Sequence, residues 1–585
     1  MHHARIIFAA LLLLGCTPKE SIDSYTAYVD PKIGTGGHGH VFVGANVPFG
    51  MVQLGPTSIP QEWDWCSGYH DSDSTVIGFS HTHLSGTGIG DLFDITVMPV
   101  VGEVTFARGK EDDPGSGLWS YADRTREIAR PGYYSVPLTR YGITAEMTAT
   151  NRVGMHRYTF PESEEAGIVF DLMNGGCWDR PVETLIEACG DNAVQGYRYS
   201  RGWADNQRIY FYAEFSRPFT DLHVHSISYM PLFAKADFKT KDGEQVLMKV
   251  GLSPVSIEGA RANMAAELPG WDFDTVAEAA ELQWEQELSK IKVTSKDETA
   301  KEVFYTALYH SMIAPSTFSD VDGQYRGADG KIYPDPGYTT YTTFSLWDTY
   351  RAAMPLYSIF QPERYTDFIN TMLAIYKEQG KLPVWHLHGC ETNCMVGNPG
   401  IPPVADAIVK GFDGFDHELA FEAMKASALR PDRGQDHRMK YGYIPCDLFN
   451  ESVAYDLEYA LADGALANAA KVLGKEDDYQ HFLNRSRSYV ELFDHELRFI
   501  RGKDSKGGFR KEYSPYASSH RVDDYCEGNG WQYTWLVPHD FKGLVSCFGS
   551  KDAFLDKLDS LFIVSSVIEG DEASPDISGL IGQYA

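Results

Sequence analysis

The chain has 585 residues, more than one hydrophobic core usually organises, so two large domains are expected. Its composition is that of a globular protein, 43% apolar and 23% charged, and 51 basic against 81 acidic residues leave a net charge of −30. With no Lys/Arg stripe, such a field repels phosphate backbones and anionic lipid, which argues against nucleic acid as a partner.

Residues 1–16 combine a short basic start with an apolar run too short to span a bilayer, so residues 1–15 read as an export signal rather than a membrane helix. Leu13-Leu-Gly-Cys16 resembles the bacterial lipobox, in which the thiol of the cysteine is acylated. Cys16 is then a lipid anchor, residues 16–24 a tether, and the chain an exported bacterial lipoprotein, periplasmic or on the cell surface, touching membrane only through its lipid. The alternative is a plain secretory signal with a chance cysteine. No later stretch reaches the roughly 18 apolar residues that a spanning helix needs.

Residues 25–269 read as short alternating strands broken by Gly, Asn, Asp and Pro, for example Val97–Phe106 and Ile209–Phe215, and predict a β-sandwich. A linker helix is expected within 270–295, where Thr275–Leu288 has apolar positions at helical spacing. From 296 to 585 the pattern is mainly helical, with segments at Glu298–Met312, Phe344–Ile359, Tyr365–Tyr376, Val404–Gly411, His417–Ala428, Ser452–Leu473, Tyr479–Phe493 and Lys551–Phe562, and a further helix near Glu527–Val537. The fold class is therefore multidomain, β then α: an N-terminal β-sandwich followed by an (α/α)6 toroid. A closed barrel of six hairpins needs more helices than these, and Asp576–Ala585 carries no C-terminal cap, so the sequence predicts an incomplete toroid from a longer reading frame.

The nine cysteines do not form a disulfide scaffold, and their spacing assigns no pairs. Cys390 and Cys394 lack matching His partners, so structural zinc is not expected.

Four segments concentrate chemistry. Gly34-Thr-Gly-Gly-His38-Gly-His40 has no strand-to-helix GxGxxG context and no P-loop lysine, so it is not a nucleotide loop. His38/His40 and His81/His83 share i,i+2 spacing, which puts both rings on one face of a strand; this suits metal ligation, but such pairs are more often structural. The second segment, Trp63-Asp-Trp65-Cys-Ser-Gly-Tyr-His70, sets rings beside small polar groups, as sugar sites do. In the third, Phe344–Arg351, Asp348 can bind sugar hydroxyls with Arg351 holding it; an internal ion pair explains the two equally well. The fourth, Asp523–Asp540, embeds Glu527 among rings that would desolvate it and keep it protonated, ready to donate to a leaving oxygen. The competing role is capping of a helix that begins near Asn529.

Together with Asp30–His40, Gly78–Gly88, Glu391–Met395, Tyr441–Pro445 and Gly579–Ala585, these segments resemble glycoside hydrolase family 92, exo-acting α-mannosidases, from about Tyr28 to Ala585. The resemblance implies a calcium-dependent, inverting hydrolysis of terminal α-mannose, α-1,2-linked, from mannose-containing glycans. It implies Glu527 as general acid and Trp347 and Asp348 as holders of the terminal mannose, with Arg351, Trp65, Gln532 and His83 as further substrate-binding candidates. An inverting mechanism needs a second carboxylate roughly 6.5–9.5 Å from the acid. The family's base and calcium ligands lie in a His-Gly-Asn-Glu-Pro stretch and a later aspartate pair, which do not occur here, so no metal ligand is named and the chain as written is expected to show little activity. Gly397-Asn-Pro-Gly400 also stands where the family has a Gly-Tyr-His pattern. The rival functions are a non-catalytic glycan-binding surface lipoprotein and a different toroid glycosidase or phosphorylase.

Overall fold

A computed structural model describes residues 24–59, 63–519 and 521–569. Cys16 and the export signal lie outside the described residues, as does the terminal Gly579–Ala585 motif.

As the sequence predicts, β structure comes first. One antiparallel sheet contains Gln53–Thr57, Thr96–Val101, Ser163–Asp171 and Met230–Thr240; the facing sheet runs from Arg180–Ala188 through Gln207–Phe215 and Glu244–Ser253 to Ile143–Ala149 and Tyr133–Leu138. Alternate residues of each strand meet between the sheets, where Val97, Phe170, Phe233, Phe211, Met147 and Val250 are buried. Phe170 stacks on Phe211 across the gap at 5.9 Å. At one end the buried Arg198 joins Asp94 (2.7 Å) and Asp179 (2.5 Å), so each of these charges has a partner in the dry interior.

The strands end at Ser253, before the expected boundary at 269, and two helices follow rather than one. Ile257–Glu267, capped by Ser256, lays Ala260 and Met264 against the second sheet. Phe273–Leu288, capped by Asp272, carries Trp284, whose Nε1 donates to the Asn46 carbonyl at 2.8 Å; Tyr309 of helix Glu298–His310 donates to the Asn46 side chain at 3.1 Å. These bonds seat the helical domain on the sandwich.

In the helical domain, Pro362–Gln379 starts on a proline, stops at left-handed Gly380 and buries Tyr365, Phe368, Ile369 and Met372, the spacing of one helix face. Ser452–Val472 is buried on nearly every side by Ile401–Lys410, His417–Ala428 and Glu476–Arg485. Among the described residues, no helix is long and apolar enough to cross a membrane.

Candidate active site

The expected helix Phe344–Ile359 is interrupted, and the interruption builds the site. Phe344 and Ser345 pair as a strand with His386 and Trp385, a single helical turn covers Leu346–Thr349, and the helix restarts at Ala353. That isolated turn presents Trp347 and Asp348 to a groove between the two domains. The groove has two lobes of about 470 and 460 Å³, and Trp347, Asp348 and Glu527 line both. One lobe continues along the helical domain past Arg351, Glu458, Gln532 and Trp535; the other runs under the sandwich, past Trp63, Trp178 and Trp203.

Glu527 is held by its neighbours in the chain. Asp523 and Asp524 dock their carbonyls onto the start of helix Ser452–Val472, accepting from Glu451 N at 2.7 Å and Val453 N at 3.0 Å. Tyr533 donates to the Cys526 carbonyl at 2.6 Å. The short helix Gly530–Tyr533 is capped by Asn529, whose side chain accepts from Trp531 N and Gln532 N while Gln532 Oε1 accepts from Asn529 N at 2.9 Å. Glu527 is therefore not the cap. Gln532 lines the groove with its Oε1 engaged in the capping box.

Glu527 has φ +47°, and Asn393, Met395, Glu451 and Arg521, which line the groove or its side pocket, also have positive φ. Left-handed backbone at non-glycine residues is costly, and here it gathers around the groove.

Arg351 does not hold Asp348. Its guanidinium bonds Glu458 Oε1 at 2.9 Å and the Trp347 carbonyl at 3.1 Å, and lies over the Trp347 ring. Glu458 is buried in helix Ser452–Val472 and also accepts from Tyr350 at 2.8 Å. The ion pair foreseen for this segment exists, but with a different carboxylate. Burial raises the Glu458 carboxyl, opposed by Arg351 and Tyr350. Asp348 is open to the groove and walled in on its other sides; burial raises its carboxyl, opposed by a hydrogen bond from Ser345 and by Arg351. Opposite, Gly397 (φ +81°) brings its loop so close that a Cβ there would sit 2.5 Å from that of Glu458.

Two expected sugar contacts lie elsewhere. Trp65 donates to Asp73 at 2.8 Å and stacks on His70 at 4.6 Å; its neighbour Trp63 is the ring in the groove. His83 is buried between Phe42 and Phe93, with Nδ1 2.8 Å from the Gln53 carbonyl, and burial pushes its pKa down to about 4, leaving it a neutral core residue. His81 is likewise buried, bonded to Ile95 O and to His156. His38 and His40 are not on a strand: His38 bonds Asp64 at 2.6 Å and His40 packs edge-on against Trp63 at 4.1 Å, so the glycine-rich motif steadies that ring.

A calcium cage needs several oxygen donors converging on one point. Among the described residues no group of three or more His, Cys, Asp or Glu does so, and Glu458 is already committed to Arg351 and Tyr350. The described residues do not fit the ion, and no step is derived through it.

Sequence reasoning passed over Glu458, Trp178 and Trp203, and within the Trp63–His70 segment it chose Trp65 rather than Trp63. The signal available for the first is a carboxylate among the apolar residues of Ser452–Val472, which it shares with Asp456 and Asp463; nothing local distinguishes Trp178 or Trp203.

Models of the glycosyl hydrolase family 92 N-terminal domain and catalytic domain match residues 28–253 and 259–585 respectively. The chain is similar to a solved family GH92 α-mannosidase of Bacteroides thetaiotaomicron in complex with mannoimidazole, at 41% identity and a TM-score of 0.89 over 94% of this chain and 75% of that one. It is also similar to a family GH92 inverting mannosidase of the same species, at 27% identity and a TM-score of 0.83 over 93% of this chain and 75% of that one. A secreted glycosidase of Arthroderma benhamiae is 27% identical, over 97% of this chain and 78% of the relative.

Proposed function

The chain belongs to glycosyl hydrolase family 92, and on that premise we propose that it hydrolyses terminal non-reducing α-mannose, α-1,2-linked, from exported or extracellular glycans. The observation that carries this reading is the meeting of Glu527, Trp347 and Asp348 on the lining shared by both lobes of the interdomain groove.

In this proposal the terminal mannose sits in the helical-side lobe. Its apolar C–H face lies on Trp347, and its hydroxyls donate to Asp348. Arg351 acts through Trp347, bonding its carbonyl and covering its ring while Glu458 fixes the guanidinium. The remaining sugar extends beneath Trp63 and Trp178. Glu527, at the junction of the lobes, gives its proton to the glycosidic oxygen as the C–O bond breaks, and water attacks the anomeric carbon from the opposite face in a single displacement, its proton passing to a second carboxylate to which no described residue is assigned. The mannosidase descriptions of the similar structures support the substrate class, and that of an inverting mannosidase supports the stereochemistry. The secreted relative supports export, with Cys16 proposed as the lipid anchor.

The test is incubation with α-1,2-, α-1,3- and α-1,6-linked mannobiose, following released sugar by proton NMR. Release of β-mannose, fastest from the α-1,2 disaccharide, is expected where a carboxylate that activates the water is also supplied; without one, little release is expected. Early appearance of the α-anomer would remove the single displacement, and glucose release, or binding without cleavage even with that carboxylate supplied, would remove the mannosidase reading.

A further inference from the structure

A separate hollow of about 580 Å³ opens on the helical domain and shares no lining residue with the groove. Its floor is the early part of helix Pro362–Gln379, where Thr366, Asp367 and Asn370 recur at the spacing of one face, turned away from the buried Phe368 and Met372. One rim is the turn Pro336-Gly-Tyr338 and the other is Gly414-Phe-Asp416, just ahead of helix His417–Ala428. Both rims are tied to the floor. Thr339 N donates to Asp367 Oδ2 at 3.3 Å and the Tyr338 hydroxyl to the Asn370 carbonyl at 3.3 Å, while Asn370 Nδ2 donates to the Gly414 carbonyl at 2.9 Å. Gly414 (φ +90°) sits so close to the helix that a Cβ there would lie 3.0 Å from Thr366 Cγ2. The hollow is therefore preformed.

These bonds leave Asp367 Oδ1 and Asn370 Oδ1 without a donor among the described residues, and both belong to half-buried side chains that line the hollow. Pro336, Tyr338 and Phe415 set apolar surface beside them. Asp416 is already engaged, since its Oδ1 caps the following helix by accepting from Glu418 N and Leu419 N at 3.0 Å each. No Lys or Arg lines the hollow, so nothing there pairs with a phosphate or a carboxylate. A calcium ion needs more converging oxygens than one carboxylate and one amide provide. An ammonium group would call for a fully charged carboxylate, but burial raises the Asp367 carboxyl, opposed by Thr339 N and Arg364. Two open acceptors set among rings fit a neutral sugar, whose hydroxyls donate to the oxygens while its C–H face lies on Tyr338 or Phe415.

We propose that this hollow is a second glycan-holding site, which takes one neutral hexose through Asp367, Asn370, Tyr338 and Phe415, apart from the groove where cleavage is proposed. A branched or polymeric glycan held here stays with the protein between encounters with the groove, so retention rises without any new contact in the groove itself. The inference stands on the chemistry of the hollow; only the choice of a mannoside as first probe rests on the mannosidase reading.

The test is photolabelling of the full chain with an α-mannoside, an α-glucoside and a β-galactoside, each carrying a diazirine on its aglycone, followed by digestion and mass spectrometry. At least one of the three is expected to label peptides covering 336–338, 366–370 or 414–416, and an excess of the matching methyl glycoside to abolish that label. D367N and Y338A should each lose it, with unchanged circular dichroism spectra showing that the variants are folded. Tyr338 gives the floor a single long hydrogen bond, so Y338A removes the apolar wall and leaves the bonds of Asp367 and Asn370 in place. The proposal is overturned if no hexose labels the hollow, if the methyl glycoside leaves the label in place, or if a folded variant keeps it. Binding rather than turnover is read, and label around Trp347 and Glu527 reports on the groove independently. Mannoside label in the groove alone leaves the mannosidase reading standing and removes this one; label in the hollow alone does the reverse.

Discussion

On the sandwich side the groove is walled by Trp63, Trp178 and Trp203; on the helical side it is walled by Trp347, Asp348, Arg351, Glu458 and Glu527. The first wall keeps its nearby carboxylates turned away from the groove. Asp64 is taken by His38, and the fully buried Asp91 accepts from Trp203 N, Ala204 N and Gln207 at 2.8 Å each, so both serve to position rings. The second wall turns Asp348 and Glu527 into the groove and keeps back only Glu458. One wall is thus suited to holding a sugar chain and the other to changing it, and substitutions on the two sides should separate binding from turnover.

The largest effect is expected from E527Q, which keeps shape but removes the donated proton. Under the proposed role, kcat on unactivated mannosides falls by about 10²–10⁴. An aryl mannoside with a good leaving group is spared most of that loss, because its departure needs no proton; steady-state kinetics on the two substrates measures the difference. Next is E458Q. Glu458 is 3% exposed and Arg351 reaches water, so loss of the charge is expected to cost about 2 kcal/mol, read as a lower denaturation midpoint, together with a drop in kcat/KM as the Trp347 turn loosens. W63A, on the opposite wall, should cost about 1 kcal/mol of substrate binding, raising KM for a disaccharide while leaving kcat near its wild-type value. An equal fall in kcat would erase the distinction between the walls.

The smallest effect concerns pH. Burial, opposed by hydrogen bonds from Trp203 N and Ala204 N, raises the Asp91 carboxyl to about 6. An unfolded aspartate titrates near ~3.9. The folded state therefore holds this proton more tightly, and the contribution of Asp91 to stability rises as pH falls from above the folded value towards the unfolded one. D91N abolishes that titration. Urea unfolding at about pH 7.5 and about pH 5 should show wild type gaining about 1 kcal/mol relative to D91N at the lower pH.

The order of the domains could be read from the chain because period-two alternation and helical spacing are local signals. Tyr365, Phe368, Ile369 and Met372 announce their helix face, and Pro362 and Gly380 its ends. Ile257–Glu267 escaped because its small residues give only a weak apolar stripe; Ser256 and the packing of Met264 decide it. Glu527 was recognisable by its aromatic neighbourhood, but its choice between capping and facing the groove was settled by Asn529, which takes the cap. The partner of Arg351 could not be read locally, since Glu458 arrives 107 positions later on a helix folded underneath. Trp63 and Trp65 look alike in sequence, and only the turn between them sends one ring to the groove and the other to Asp73.

The left-handed backbone at Glu527 sets stability and catalysis against each other at one position. A non-glycine residue at φ +47° gives up about 1 kcal/mol that glycine would not. Glycine at 527 should therefore yield a protein that resists heat better than wild type and, under the proposed role, has no proton to give. A library selected for thermal resistance alone would drift towards that variant. Retention of glutamate under selection for mannose release, and its loss under selection for heat, would show that the residue is kept for chemistry at the expense of the fold.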